Sequence, residues 1–211
     1  MQIIIHRVNK IAELLTIPKK YGVEIDVRGY GDKMLLNHDP IDDPKKYDEL
    51  EEYLKNFHHA FVIFNMKEAG YESRVIALAK KYGIKKYFLL DVEFPYLYRA
   101  TRKDHFRKIA VRYSEAEPIE NVQSQMENGK PIVDWVWIDT NTMLPLSKNI
   151  VNKLSPFQTC LVCPDRWGRP EDIIPYAEKM KKLGFCPTAV MTAQKYADVW
   201  EKNLNNRKIV K

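Results

Sequence analysis

The sequence is poor in the features that mark secreted and membrane-spanning proteins. It has three cysteines in 211 residues, an odd number that does not make a disulfide framework. No apolar run reaches the ~18 residues that a membrane span requires. The apolar start of the chain is also too short to be the core of a signal peptide. We therefore expect a cytoplasmic protein without a membrane span.

Glycine is equally sparse, with eight residues that form no phosphate-binding loop. The nearest approach is Gly29-Tyr30-Gly31, which lacks the third glycine of a dinucleotide-binding turn and does not open a helix. This absence counts against an open doubly wound sheet, the main competitor among α/β folds.

Acidic residues are the minority among the charges. The chain has 34 Lys and Arg against 28 Asp and Glu, a net charge of +6. Such a balance favours an anionic partner, for instance a phosphate, a nucleotide or a nucleic acid. The lysines occur in scattered pairs, which is typical of solvated helix surfaces. No known nucleic-acid-binding module is present, so a nucleic-acid partner is the least favoured of these.

Short apolar runs alternate with amphipathic stretches along the whole sequence, with no change of composition between residues 1 and 211. Strand–helix alternation implies a parallel sheet, and eight such units predict one domain with a small (β/α)8 TIM barrel. The predicted strands are 2–5, 23–28, 60–66, 86–91, 108–113, 133–138, 159–163 and 188–191. A short extra strand at 34–36 extends the second of them after a turn. The predicted helices are 10–21, 44–56, 71–82, 95–103, 119–128, 147–154, 170–183 and a terminal helix from 193, capped by Thr192 and followed by a frayed tail at 203–211.

The second predicted strand carries two acidic residues, Glu24 and Asp26, that alternate with Val23, Ile25 and Val27. Alternate residues of a strand share a face, so the two carboxylates point the same way, opposite to the apolar residues. Burying two unpaired carboxylates side by side is costly, and we expect a cation between them. Their hard oxygen ligands suit Mg²⁺ or Ca²⁺.

Barrel enzymes carry their chemistry at the C-terminal ends of the strands. Here strand one ends in His6-Arg7, His38 follows the extension of strand two, and strand three ends in Asn65 and Lys67. Histidines transfer protons near neutral pH, while cationic side chains and a metal ion would neutralise a phosphodiester. The combination predicts phosphoryl chemistry.

Four short motifs in the first third of the chain resemble the glycerophosphodiester phosphodiesterase family, within the superfamily of phosphatidylinositol-specific phospholipases C. In order, they are His6-Arg7, Glu24-Ile25-Asp26, His38-Asp39 and Asn65-Met66-Lys67. Beyond residue 67 only the architecture agrees. The resemblance implies a divalent-metal-dependent phosphodiesterase. Its general acid and base would be His6 and His38, with a nucleophilic role open to His6; its metal ligands would be Glu24, Asp26 and Asn65; and its phosphate-binding residues would be Arg7 and Lys67.

Three departures from the family pattern narrow this expectation. Val8 stands where the family has glycine, and Asn65 stands where it has a third acid. A neutral amide oxygen adds no charge, so we expect weaker metal binding, for which Asp91 or Glu93 on the adjacent strand would be candidates to compensate. The segment between His38 and strand three is also short, so the substrate pocket must be built differently.

The sequence leaves several alternatives open. If water attacks the phosphorus, the protein is a hydrolase. If a neighbouring hydroxyl of the substrate attacks instead, the protein is a lyase that releases a cyclic phosphate. The substrate would be a phosphodiester of glycerol, a nucleotide, a lipid headgroup or a surface-glycan precursor. The rival interpretation is a degenerate barrel that binds a phosphorylated ligand without cleaving it. A sugar-phosphate isomerase or aldolase barrel would rest on Lys67 alone. The oligomeric state is not indicated.

Two further patterns have ordinary explanations. Cys160 and Cys163 have a metal-like spacing, but residues i and i+3 of a strand face opposite ways, so we predict buried thiols. Trp167 lies beside arginines in the loop after strand seven, where packing is favoured over stacking on a base or a choline-like group.

Overall fold

The computed structural model describes residues 1–204. The strands are β1 (Gln2–Ile5), β2 (Gly22–Tyr30), β3 (Lys33–Leu36), β4 (Val62–Met66), β5 (Tyr87–Leu90), β6 (Ala110–Tyr113), β7 (Met126–Glu127), β8 (Lys130–Pro131), β9 (Trp135–Ile138), β10 (Gln158–Val162) and β11 (Ala189–Thr192). The α-helices are α1 (Ile11–Leu14), α2 (Leu50–Lys55), α3 (Glu72–Lys81), α4 (Phe94–Arg102), α5 (Ile119–Gln123), α6 (Lys148–Leu154), α7 (Ile173–Lys182) and α8 (Ala197–Leu204). Most of the tail for which fraying was predicted lies outside the described residues.

Residues Ile4–Ile109 form one compact unit. Within it β1 pairs with β2, β2 with β4, and β4 with β5, all in parallel, and β3 adds to β2 as an antiparallel hairpin. The register of β2 and β4 sets Asp26 directly opposite Asn65. Polar residues of two neighbouring strands are thereby brought to one place in the sheet.

The second compact unit contains Met1–Ile3 and the chain from Ala110 onward. Its strands β6, β9, β10 and β11 pair in parallel in that order. The backbone N–H of Gln2 donates to the carbonyl of Thr188 at 2.8 Å. All four residues of β9 and of β11 are buried, as expected for parallel strands that are covered on both faces.

The eight parallel strands follow the order β5-β4-β2-β1-β11-β10-β9-β6. This is the order in which a (β/α)8 barrel arranges its strands, and it confirms the predicted fold class. Among residues 1–204, no helix is both long and apolar enough to cross a lipid bilayer.

Two predicted helices in the first unit are shorter than expected. The helix predicted over 10–21 ends at Leu14, because Pro18 has no N–H to donate to the carbonyl of Leu14. That carbonyl accepts from the N–H of Ile17 instead, in a tighter turn. The helix predicted over 44–56 divides into a 3₁₀ turn, Pro44–Lys46, and α2. It is interrupted because the carbonyl of Asp48 accepts from the N–H of Leu36, which extends the pairing of β3.

Two predicted helices of the second unit also differ. The helix predicted over 119–128 ends at Gln123, and the hairpin of β7 and β8 follows. Its turn is Asn128-Gly129, with φ of 50° and 73°, a pair that favours a tight hairpin turn. The terminal α-helix begins at Ala197 rather than near residue 193. Thr192 does not cap it, because this residue belongs to β11 and its hydroxyl donates to Asp165 at 3.0 Å.

Candidate active site

Asp26 is fully buried at the centre of a polar cluster. Its Oδ1 accepts a hydrogen bond from Nδ2 of Asn65 at 3.2 Å and lies 3.1 Å from Nζ of Lys67. Its Oδ2 accepts from Nδ2 of Asn9 at 2.9 Å and lies 3.8 Å from Nε of Arg7. The surrounding N–H groups stabilise the ionised carboxylate, which would otherwise be costly to bury.

Glu24 lies beside Asp26 and is 1% exposed. Its Oε1 accepts from Nδ2 of Asn65 at 2.9 Å, and its Oε2 accepts from the backbone N–H of Arg7 at 2.8 Å. The same Oε2 lies 3.9 Å from Nε2 of His6. Burial and the charge of Asp26 raise the pKa of Glu24 from 4.5 to about 7. Glu24 therefore exchanges a proton near neutral pH. We call Glu24, Asp26, Asn65, Asn9, Arg7, Lys67 and His6 the acid-pair cluster.

The chain turns sharply after β1 to make these contacts. Arg7 has a φ of 55°, a left-handed conformation that residues other than glycine rarely adopt. The turn directs the N–H of Arg7 to Glu24, and the next N–H, of Val8, donates to the carbonyl of Glu24 at 2.9 Å. Strained backbone of this kind persists where surrounding contacts fix it, often at functional sites.

The amide of Asn65 bridges the two acids through its nitrogen. Its Oδ1 is buried and has no hydrogen-bond partner among the described residues. Half a turn of the amide would bring this oxygen towards Glu24 and Asp26. Three oxygen atoms placed together in this way would repel one another. A bound cation could offset that repulsion.

These oxygens fit a hard divalent cation, with two carboxylates and one neutral amide as the available ligands. Within residues 1–204, no group of three or more His, Cys, Asp or Glu side chains is placed to hold a metal ion. Neither Asp91 nor Glu93 therefore completes a site of three carboxylates. The donor set favours weak rather than tight binding of Mg²⁺ or Ca²⁺.

His38 lies just after β3 and is held largely through its backbone. Its carbonyl accepts from Nε and Nη2 of Arg28 at 3.2 and 2.7 Å, and Nη1 of Arg28 contacts Oε1 of Glu68 at 2.6 Å. Its ring Nδ1 lies 2.8 Å from Oδ1 of Asp39, and this hydrogen bond lowers the pKa of Asp39.

The structure gathers six of the seven predicted site residues into the acid-pair cluster: His6, Arg7, Glu24, Asp26, Asn65 and Lys67. The seventh, His38, belongs to the adjoining Arg28–Glu68 and Asp39 contacts. The Arg7 charge also contributes to the lowered pKa of Asp39. Their chemical roles remain predictions.

Solved structures of other proteins share this fold, among them two phosphodiesterases. They are a glycerophosphoryl diester phosphodiesterase from Parabacteroides distasonis and a glycerophosphodiester phosphodiesterase from Agrobacterium tumefaciens. The first matches with a TM-score of 0.63 and 11% identity over 96% of this chain and 86% of its own. The second matches with a TM-score of 0.63 and 13% identity over 91% of this chain and 96% of its own. No protein-family profile and no curated protein sequence matches the chain. At this identity the likeness establishes the TIM-barrel fold and no more.

Sequence reasoning missed two residues that position the site. Asn9 binds Asp26 twice, since its Oδ1 accepts from the backbone N–H of Asp26 at 2.8 Å in addition to the contact of its Nδ2. Nothing in the sequence marks Asn9. Arg28 had a usable signal, because it falls on the same alternating face of β2 as Glu24 and Asp26.

The second unit has a polar cluster of its own around Asp139. This carboxylate accepts from Nη1 of Arg112 at 2.8 Å and from the indole N–H groups of Trp137 and Trp167, each at 3.2 Å. Trp167 is thus anchored through its edge while 41% of its surface stays exposed. For this ring the sequence favoured packing over stacking on a ligand, and that remains a prediction.

The two cysteines with metal-like spacing are buried thiols, as predicted. Nε1 of Trp200 donates to Sγ of Cys163 at 3.0 Å. Burial raises the pKa of the Cys163 thiol well above its usual range, so this group stays protonated.

Proposed function

We propose that this chain is a phosphodiesterase that cleaves a small glycerophosphodiester-like or headgroup-linked phosphodiester with His6 and His38. The observation that carries the proposal is the acid-pair cluster, in which a buried acid pair is flanked by Arg7 and Lys67. The shared fold with two glycerophosphodiester phosphodiesterases supports it.

Arg7 and Lys67 would bind the phosphodiester. Both side chains reach Asp26 from the surface, and both remain partly exposed, 35% and 15% respectively. An incoming phosphate would therefore meet two cations whose positions are already fixed by Asp26. Arginine can offer two N–H groups to phosphate oxygens, while lysine contributes a compact charge.

The two histidines would move the protons. One takes a proton from the attacking oxygen, either of water or of a neighbouring substrate hydroxyl, as this oxygen bonds to phosphorus. The other gives a proton to the leaving oxygen as its bond to phosphorus breaks. Asp39 suits His38 to this task, because it orients the ring through Nδ1.

We further propose that Glu24, Asp26 and Oδ1 of Asn65 hold a divalent cation, Mg²⁺ or Ca²⁺. When bound, such an ion would supply a Lewis acid for the phosphoryl oxygens. Glu24 must release its proton to ligate the ion, so the raised pKa of Glu24 makes binding weaker at acidic pH.

The cytoplasmic location expected from the sequence stays a prediction.

The test is a panel of phosphodiesters that includes glycerophosphocholine, CDP-linked alcohols and bis-p-nitrophenyl phosphate. It is run with EDTA and then with Mg²⁺, Ca²⁺ or Mn²⁺. Turnover that depends on added metal would support the proposal. Phosphorus NMR of the product separates the two reactions, because a hydrolase yields a monoester and a lyase a cyclic phosphate. Binding of a phosphodiester without turnover across the panel would favour the degenerate, non-cleaving barrel.

Asn65→Glu is expected to tighten metal binding by about tenfold or more, because it adds a third carboxylate to the donor set. Without metal the same change should lower stability, since three buried acids repel one another. Calorimetric titration with Ca²⁺ and thermal melting with and without Ca²⁺ measure both effects. Asn65→Gln is the matched control, because it lengthens the side chain without adding charge. If Asn65→Glu gains no affinity over Asn65→Gln, the assignment of the metal site is wrong.

Arg28→Met is expected to lower turnover by about ten- to a hundredfold, because the carbonyl of His38 loses two charge-assisted hydrogen bonds. Arg28→Lys keeps a positive charge and should recover part of the rate. Steady-state kinetics with a phosphodiester of the panel measure the change, with circular dichroism to verify folding. A folded Arg28→Met protein with the native rate would show that Arg28 does not position His38.

A further inference from the structure

Helix α4 exposes two large aromatic side chains. Phe94 and Tyr98 lie one turn apart on the same face and are 66% and 48% exposed, with ring centroids 6.2 Å apart. Leu97, Ala100 and Thr101 of the same helix are buried. The core therefore accounts for the buried face of the helix, but not for the aromatic pair on its solvent side.

Basic residues follow this pair along the chain. Arg102 lies one turn beyond Tyr98, with its guanidinium carbon 4.8 Å from the centre of that ring. Arg99 lies over Tyr96 at 5.4 Å, and exposed Lys103 follows the helix. We call Phe94, Tyr98, Arg99, Arg102 and Lys103 the α4 patch.

Two acidic residues border the α4 patch. Glu93 precedes the helix, and Oδ2 of Asp104 lies 3.7 Å from Nε of Arg99. Because more than half of both Arg99 and Asp104 is exposed, solvent screens their ion pair. By formal charge, the three basic residues of the patch exceed these two acids by one.

The α4 patch begins at the end of the strands that carries the candidate site. β5 ends at Leu90, which pairs with Asn65 of β4. Phe94, the first residue of α4, follows four residues after Leu90. The start of α4 therefore lies near this end of the strands. A surface that docks on the α4 patch would therefore approach the end of the strands from which Asn65 and Lys67 reach Asp26.

We propose that the α4 patch docks on an anionic lipid surface. Phe94 and Tyr98 enter the interfacial layer, where aromatic rings are favoured, and Arg99, Arg102 and Lys103 contact anionic headgroups. This goes beyond the proposed function. Where that function also holds, docking brings headgroup-linked phosphodiesters to the site.

The size of the patch favours a bilayer over a protein partner. Two aromatic side chains are far less than the roughly 800 Å² that each partner of a stable protein complex buries. Reversible binding to a lipid surface needs less, because a few apolar side chains and adjacent basic residues act together. Aromatic rings with flanking arginine and lysine are the residue types that suit a membrane–water interface.

Vesicle co-sedimentation tests the proposal with the full chain. One set of vesicles is phosphatidylcholine alone and the other is equal parts of phosphatidylcholine and phosphatidylserine. We expect binding to the second set, weakened by salt because the attraction is electrostatic. The double change Phe94→Ser and Tyr98→Ser should weaken it about tenfold, and Arg99→Gln with Lys103→Gln by about tenfold or more. Leu15→Ser is the matched control, because Leu15, directly after α1, is 68% exposed, and this variant should bind like the native chain.

Several results would overturn the proposal. They are no binding of the native chain to phosphatidylserine vesicles at low salt, equal binding to both sets, or unchanged binding of the Phe94/Tyr98 double variant. Concentration-dependent self-association, measured by light scattering and lost in that double variant, would assign the patch to a protein interface instead. Sedimentation needs no turnover, so its outcome is independent of the proposed activity. The double variant should also keep the native rate on a soluble phosphodiester.

Discussion

His6→Ala and His38→Ala are each expected to lower kcat for phosphodiester cleavage by about a thousandfold, because each removes a group that transfers a proton. His6 lies 3.9 Å from Glu24 across the strand pair, and His38 is oriented by Asp39 and Arg28. Neither ring supports the apolar core. Both variants should therefore fold with native circular dichroism and unfold at a similar urea concentration.

The choice of substrate tells the two histidines apart. A p-nitrophenyl ester has a leaving group that departs without a proton, whereas a glycerol or choline ester needs one. The variant that lacks the general acid should regain most of its rate on the p-nitrophenyl ester, and the variant that lacks the base should not. His58→Ala is the matched control, because His58 is exposed and lies outside the acid-pair cluster. Native rates for either site variant on both substrates would refute the mechanism.

The free energy of unfolding is expected to fall by roughly 3 kcal/mol between about pH 4.5 and pH 7 through Glu24 alone. Burial and Asp26 raise the pKa of Glu24 to about 7 in the folded chain, against 4.5 for an unperturbed group. Between these values the folded chain binds one proton more than the unfolded chain, so stability falls as pH rises. The stabilisation is complete below the unfolded pKa and is lost as pH passes the folded one.

Glu24→Gln should remove this pH dependence, because its amide stays neutral. The measurement is urea unfolding of the native chain and the variant, in EDTA, at several pH values from 4.5 to 8. The difference between the two curves isolates Glu24, and Glu171→Gln at an exposed acid serves as the control. Parallel curves for the native chain and Glu24→Gln would show that Glu24 is not protonated in the folded state. Added Ca²⁺ should raise the free energy of unfolding of the native chain near and above pH 7, because the ion would bind the folded chain with Glu24 ionised.

The main elements of the fold were readable from the sequence because their signals are local. The alternation of Glu24 and Asp26 with apolar residues placed both acids on one face of β2, and the structure buries them there. Regular spacing of apolar runs gave eight parallel strands, which the strand order confirms. Asn128-Gly129 is also a local signal, typical of a hairpin turn. The helical spacing of the preceding residues predicted a helix over 119–128 instead, and the small hairpin of β7 and β8 was missed.

The contacts that position the site were not readable, because they join residues far apart in the chain. Asn9 donates a hydrogen bond to Asp26, 17 residues away in the sequence, and Arg28 donates one to Glu68, 40 residues away. Asp48 interrupts a predicted helix because its carbonyl pairs with Leu36. Such pairings depend on the three-dimensional arrangement of the chain, and no periodicity or spacing in the sequence predicts them.

The length of β2 has a consequence for how this sequence can vary. The strand runs from Gly22 to Tyr30 without a bulge, and its paired registers to β4 and β3 are continuous. Inserting or deleting one residue before Glu24 would exchange the inward and outward sets of side chains along the strand. Both the packing of the core and the geometry of the candidate site would then be lost. Related chains should therefore tolerate substitutions within this strand, but not changes in its number of residues.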